Sequence, residues 1–180
     1  MKKPRKQYRP YRVACNALEI VLNKVRKLSA DDVQRQREIM TTALREFSAG
    51  KNCAEHWRSL ADAANMTETF AGMGICSGPQ AETIIHVAQQ SLADVQGRHA
   101  MRGTWTLYAT ELDRLEWMLT LHLRQLSECD YGELEKAYQT TRNRIAQARA
   151  GNAPAGAVVI VGDVAGKREV ACSASAATSL

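Results

Sequence analysis

The histidines and cysteines are the side chains of this chain best suited to nucleophilic, acid–base or metal chemistry. No histidine stands in an HExxH pattern or shares a predicted helix face with a second type of metal ligand. The gaps between the cysteines match no zinc or redox motif, which indicates reduced thiols. We therefore predict no metal site and no cofactor. The residues concerned are His56, His86, His99, His122, Cys15, Cys53, Cys76, Cys129 and Cys172.

Acidic residues and glycine patterns give no stronger sign of catalysis. Glu111, Asp113 and Glu116 fall at the start of a predicted helix, where carboxylates stabilise the helix dipole, so their position favours a structural role over acid–base catalysis. The pattern Gly72-Met73-Gly74 is too short to cradle a phosphate and follows no strand. We predict no catalytic residue and expect that the chain is not an enzyme.

Residues 1–12 carry a concentrated positive charge. They hold six cations and no acid, whereas the whole chain has a formal net charge of +5, so the remaining residues sum to −1 (5 − 6). A basic arm attracts polyanions, and Pro4 and Pro10 bias it toward extended backbone. It is interpreted either as a nucleic-acid handle or as a solubilising terminus. The candidate nucleic-acid-binding residues are Lys2, Lys3, Arg5, Lys6, Arg9 and Arg12.

Apolar residues recur at helical spacing through the rest of the chain and predict about six helices. Ser29 is the expected N-cap of the second helix, Asn52 with Glu55 forms an expected capping box for the third, and Thr110 caps the fifth. The predicted ranges are about 14–28, 30–48, 53–71, 79–97, 111–126 and 131–150.

The fifth predicted helix has the clearest amphipathic pattern, and we expect it to be central to the core. His122 lies on its apolar stripe and is predicted to be a core histidine satisfied by one hydrogen bond. Trp117 lies beside that stripe, where it closes the core, the interpretation we favour, or joins an oligomer contact. Because tryptophan is enriched at binding hot spots, Trp105 and Trp117 are the candidate partner or oligomer contacts.

A helix-turn-helix would suit a protein with a basic arm, and residues 60–69 resemble the first helix and turn of one. Its second helix, however, would contain Gly72 and Gly74 and no Lys or Arg in its first three turns. A recognition helix needs donors for base edges and phosphates. An ordinary amphipathic helix is therefore predicted here.

These patterns predict an all-α fold, with a single irregular bundle of about six helices over residues 14–150. A basic extended arm over 1–13 precedes it, and a flexible Gly/Ala-rich tail over 151–180 follows it. Residues 157–161 (AVVIV) have strand propensity but no second segment to pair with. No apolar run reaches a membrane-spanning length, and no signal-peptide core follows the charged start, so we expect no membrane contact and a cytoplasmic location.

Two segments resemble a family of small uncharacterised proteins carried by phages and prophages of Gram-negative bacteria. The first is the opening KPRKQYRPYR, and the second follows the pattern G-x-[FW]-x-L-x-x-x-E-[LI], then L-H and Q-L. The matching residues of the second are Gly103, Trp105, Leu107, Glu111, Leu112, Leu121, His122, Gln125 and Leu126. The resemblance is patchy elsewhere. It implies a phage setting inside a bacterial host cell and carries no assigned chemistry.

Two functions follow as hypotheses. The first is a non-enzymatic phage accessory protein that binds a host or phage protein and modulates replication, transcription or defence. The alternative is a nucleic-acid-binding protein that holds DNA or RNA with its basic arm and uses the bundle as an oligomerisation platform. The two differ in which part of the chain binds, the neutral body or the arm.

Overall fold

The computed structural model describes residues 23–152 and residue 160, and these residues form five helices and no strand. The all-α class predicted from the sequence is therefore confirmed for this part of the chain. None of the five helices is apolar enough over a sufficient length to cross a membrane. The helices are α1 (Ala30–Ser48), α2 (Cys53–Gly72), α3 (Pro79–Arg102), α4 (Ala109–Glu128) and α5 (Tyr131–Arg149).

Several sequence predictions lie outside the described residues. They are the extended arm over 1–13, the start of the first predicted helix over 14–22, and the tail over 153–180 apart from Ile160. The end of the first predicted helix is described and is wrong, because the helix stops at Lys24 instead of residue 28. Beyond Lys24 the backbone pairs with the start of α5, where the Tyr131 amide donates to the Arg26 carbonyl at 3.1 Å.

Short-range signals start α1 and α5 where the sequence predicted. The Ser29 hydroxyl accepts the Asp32 amide at 3.1 Å, which caps α1. At α5, Asp130 and Glu133 form a capping box: the Asp130 carboxylate accepts the Glu133 amide at 2.7 Å, and the Glu133 carboxylate accepts the Asp130 amide at 2.9 Å. The Ser29 cap was predicted from the sequence, whereas the Asp130–Glu133 box was not, although each cap lies within four residues of sequence.

Two predicted caps are wrong. Asn52 has a left-handed backbone (φ 43°) and its side chain makes no capping bond, so it forms no capping box with Glu55. Its carbonyl instead accepts the amides of Glu55 and His56. The N-cap of α4 is Tyr108 rather than Thr110, because the Glu111 carboxylate accepts the Tyr108 amide at 2.8 Å.

Helix α3 runs five residues past its predicted end at Gly97 and stops at Arg102. Gly103 then takes a left-handed conformation (φ 72°) and donates its amide to the His99 carbonyl at 2.8 Å. The low helix propensity of Gly97 is outweighed by tertiary contacts of the last turn. The His99 ring stacks on Trp105 with centroids 4.1 Å apart.

Helix α2 is the centre of the described fold, since it packs against each of the other four helices. Helices α1 to α4 close a ring of contacts in which α1 and α3 each pack against both α2 and α4. The prediction that α4 is central holds only in part, because α4 packs extensively against three helices and α2 against four. The last helix, α5, packs extensively against α2 alone and lies outside the ring.

A polar layer separates two apolar clusters along α2 and α4. One cluster contains Trp57 and Leu115, and the other contains Phe70 and Leu126. Between them His122, which is only 5% exposed, bonds through Nδ1 to the Thr67 hydroxyl at 3.0 Å. The prediction of a core histidine with one hydrogen bond is confirmed. Residues 60–69 lie inside continuous α2, which agrees with the rejection of a helix-turn-helix.

Candidate binding groove

An open groove of about 620 Å³ lies between α3 and α5. It exists because both helices pack against α2 and not extensively against each other. The C-terminal end of α2 forms its floor, and each wall is a helical stripe of side chains three or four positions apart. The α3 wall consists of Glu82, Ile85, His86 and Gln89, and the α5 wall of Lys136, Thr140 and Arg144.

Glu68 on the floor links the two walls. One of its carboxylate oxygens accepts from the Gln89 amide at 2.8 Å and pairs with the Arg144 guanidinium at 2.8 Å. The side chains of Glu68 and Arg144 are 29% and 22% exposed, so water screens this pair less than a fully exposed one. Together with Gln89, the pair links α2, α3 and α5. It presents an ordered polar group inside the groove.

Hydroxyl groups continue this network toward the interior. Arg144 donates to the Thr69 hydroxyl at 3.2 Å, and the hydroxyls of Thr69 and Thr141 are 2.8 Å apart. Thr69 and Thr141 are each 5% exposed. Because Arg144 is bonded on both sides, by Glu68 and by Thr69, its guanidinium has one defined position before any ligand arrives.

Other lining residues are not engaged in this way. Within the described residues, no hydrogen bond or ion pair involves the side chain of Glu82, His86 or Lys136, and all three residues are exposed. The floor and α3 wall also contribute apolar surface from Met73 and Ile85. A ligand would therefore meet apolar surface, one ordered ion pair and unengaged charges of both signs. That combination suits a polypeptide segment with both apolar and charged side chains.

Trp105 and Trp117, the predicted contact residues, have different surroundings, and neither lines the groove. Trp117 is 58% exposed, so its favoured assignment to the core is wrong. The core positions of that turn are taken by Leu115, Met118 and Leu119, which places residue 117 on the opposite side of α4. Trp117 therefore stays a candidate contact residue.

Trp105 is half-buried and packs against the core. Besides stacking on His99, its ring lies 5.8 Å from that of Trp57 and 6.3 Å from that of Phe47. These contacts hold the connection between α3 and α4 against the first apolar cluster. These contacts within the fold explain the position of Trp105 without a binding partner.

The buried carboxylate of Glu111 anchors the same connection. It accepts from the Arg98 guanidinium at 2.5 Å as well as from the Tyr108 amide. Arg98 also donates to the Thr106 carbonyl at 2.9 Å and lies over the Tyr108 ring, 4.4 Å from its centroid. Glu111 was expected to stabilise a helix start, and its carboxylate does accept the amide of the N-cap residue Tyr108. Four of the residues that carry the resemblance to the phage family make contacts within the fold: Gly103, Trp105, Glu111 and His122.

Three of the five cysteines lie among the described residues. Cys53, Cys76 and Cys129 are unpaired, which agrees with the expectation of reduced thiols, while Cys15 and Cys172 lie outside the described residues. Burial raises the pKa of Cys129 to about 11, so its thiol stays protonated and is a poor nucleophile at neutral pH. In the part of the chain that is described, no three His, Cys, Asp or Glu side chains are grouped as metal ligands.

Sequence reasoning did not find the groove, because its residues come from three helices. Glu68 and Arg144 are 76 positions apart (144 − 68), and each alone looks like an ordinary charged residue on a helix surface. The six arm cations, from Lys2 to Arg12, lie outside the described residues, so their relation to the groove is not described.

No protein-family model, no curated protein and no solved structure matches the chain. The groove and the charge of the N-terminal arm are therefore the observations that bear on function.

Proposed function

We propose that the chain is a non-enzymatic phage accessory protein that binds a host or phage protein, and that the groove between α3 and α5 receives a segment of that partner. The observation that carries the proposal is the ion pair between Glu68 and Arg144 inside an open groove. Since this pair is ordered beforehand, binding does not require the ordering of those two side chains.

The groove favours an amphipathic partner segment. An apolar side chain placed against Met73 would gain from burial, up to about 1.5–3 kcal/mol if it were buried completely. Glu82 on one wall and Lys136 on the other would select a segment with a cation and an acid at matching positions, because complementary charges favour the correct partner and orientation. The carboxylate of Glu82 would repel a uniformly acidic ligand.

Two further features belong to this proposal. The protein acts in the cytoplasm of a bacterial host cell, where it modulates replication, transcription or defence. Trp117, at 58% exposure, is the candidate contact between two copies of the chain.

Site-specific photo-crosslinking in the bacterial host tests the groove directly. A photoreactive amino acid at Thr140, which lines the groove, should crosslink one partner protein, whereas the same amino acid at exposed Arg142, on another side of the same helix, should not. Lys136→Glu should reduce the yield at least tenfold, because it removes a groove cation. Arg142→Glu makes the same charge change at an exposed position outside the groove and should leave the yield within twofold. Equal yields from positions 140 and 142 would contradict the proposal.

The charge distribution supports the alternative of nucleic-acid binding. Six cations in residues 1–12 exceed the net charge of the whole chain. If all six contact phosphates, the logarithm of the binding constant for a random duplex should fall against the logarithm of salt concentration with a slope of about −5. Fluorescence anisotropy over a salt series measures this slope. A full-length variant with glutamine at the six positions should lose the binding, and absence of binding by the unaltered chain at low salt would exclude this alternative.

A further inference from the structure

Ile160 is held by a buried asparagine of α2. The Asn65 side-chain amide donates to the Ile160 carbonyl at 2.9 Å, and the Asn65 side-chain oxygen accepts the Ile160 amide at 3.2 Å. Asn65 is 2% exposed and Ile160 is 5% exposed. One side chain thus pairs with both backbone groups of one residue, as a neighbouring strand does in a hydrogen-bonded antiparallel pair.

The Ile160 side chain completes the larger apolar cluster. That cluster also contains Ala61 and Ala64, which lie within one turn of Asn65 on α2. Ile160 is a member of this cluster and is 5% exposed. The site therefore combines a clamp for the backbone of one residue with apolar surroundings for its side chain.

Residue 160 satisfies the clamp. Within the described residues, the side-chain nitrogen and oxygen of Asn65 have no hydrogen-bond partner other than Ile160. A buried side-chain amide needs partners for its donor and its acceptor, and Ile160 supplies both. Residue 160 comes after the end of α5 at Arg149. It is linked to the helices covalently through the intervening chain and non-covalently through its contact with Asn65.

We propose that Asn65 and the apolar cluster beside it form a docking site for an apolar peptide, which Ile160 occupies here and from which it can be released. Ile160 supplies the required chemistry, a β-branched side chain and one backbone amide and carbonyl, and in the sequence it stands in the apolar run AVVIV over 157–161. The inference is independent of the proposed function, because no residue that lines the groove belongs to the cluster around Ile160.

Binding of the segment in trans tests the site. The full chain with Ile160→Asp should release its own segment, because a carboxylate is poorly tolerated at a 5% exposed apolar position. A fluorescein-labelled peptide covering residues 155–163, with lysines added for solubility, should then bind this variant at least tenfold more tightly than it binds the unaltered chain. In the unaltered chain the tethered segment competes at a high effective concentration.

Two matched controls identify the contacts. The same peptide with Ile160→Asp should bind the variant at least tenfold more weakly. Adding Asn65→Leu to the Ile160→Asp chain should weaken binding of the unaltered peptide by a similar factor, because the backbone clamp is lost. The proposal is overturned if the peptide binds neither the helical Ile160→Asp chain nor the unaltered chain.

Hydrogen exchange of the unaltered chain provides a measurement that does not depend on the variant folding. A contact that can be released breaks without global unfolding. The Ile160 amide should therefore exchange at least tenfold faster than the amide of Leu60, which is fully buried in α2. If both amides exchange only through global unfolding, residue 160 is a permanent part of the core and the proposal is wrong.

Discussion

Burial keeps His122 neutral in the polar layer of the core. Its surroundings lower its pKa to about 4, because a charged imidazole would lose its hydration there. The Thr67 hydroxyl donates to the Ala63 carbonyl at 2.7 Å, so it accepts from the His122 Nδ1–H. The histidine is thus suited to a structural hydrogen bond in its neutral form.

The lowered pKa of His122 predicts a loss of stability in acid. The unfolded chain binds a proton at His122 below about pH 6.5, whereas the folded chain resists protonation until about pH 4. Since the unfolded state binds more protons in this range, the free energy of unfolding should fall by up to about 3 kcal/mol between pH 7 and pH 4. Urea denaturation at several pH values measures this decrease.

A matched pair of histidine variants isolates that contribution. In His122→Gln the decrease between pH 7 and pH 4 should be smaller by most of the expected amount. In His86→Gln, which alters an exposed histidine, the full decrease should remain. If both variants retain the same pH dependence, burial of His122 is not its cause.

The connection between α3 and α4 shows how tertiary contacts extend a helix. Arg98 and Glu111 lie on different helices and form a pair whose side chains are 14% and 6% exposed. The pair joins the last turn of α3 to the first turn of α4 and fixes the loop between them through the Thr106 carbonyl. Continuation of α3 past Gly97 is what brings Arg98 into range.

Removing the Arg98 guanidinium should destabilise the fold. Arg98→Met leaves the buried Glu111 carboxylate without its cation, and we expect the free energy of unfolding to fall by about 3 kcal/mol. Arg102→Met, an exposed position in the same turn, should change it by less than about 0.5 kcal/mol. Urea denaturation at pH 7 compares the two, and equal losses would show that the ion pair contributes little.

The position of α5 outside the ring gives the molecule unequal stability. Opening α5 breaks mainly its interface with α2, whereas opening α2 breaks the contacts of all the described helices. A helix with a single extensive interface should unfold locally at lower free energy. Since α5 also forms one wall of the groove, its opening would remove that wall.

Native-state hydrogen exchange should detect this difference. The amide of Ala137 in α5 should be protected at least tenfold less than that of Leu60 in α2, although both residues are fully buried. The two residues are matched in burial, so the comparison reports the helix and not the side chain. Equal protection would mean that the five helices open as one cooperative unit.

The sequence by itself determined the features that depend on neighbouring residues. Apolar spacing located α1 and α5 to within a residue, and for α1 the Ser29 cap, which acts within a single turn, marked the start. The same periodicity placed His122 in the core. The periodicity could not decide whether Trp117 faces the core or the solvent, because a residue at the edge of an apolar stripe is buried or exposed according to what packs there.

Only the tertiary structure decided the features that depend on residues far apart in sequence. The clamp joins Asn65 to Ile160 across 95 positions, and the groove depends on the pair between Glu68 and Arg144. In the sequence Asn65 is one polar residue in an amphipathic helix, and Ile160 belongs to an isolated apolar run. Hydrogen bonds and ion pairs require atoms within about 3–4 Å, and such distances are set by how the helices pack.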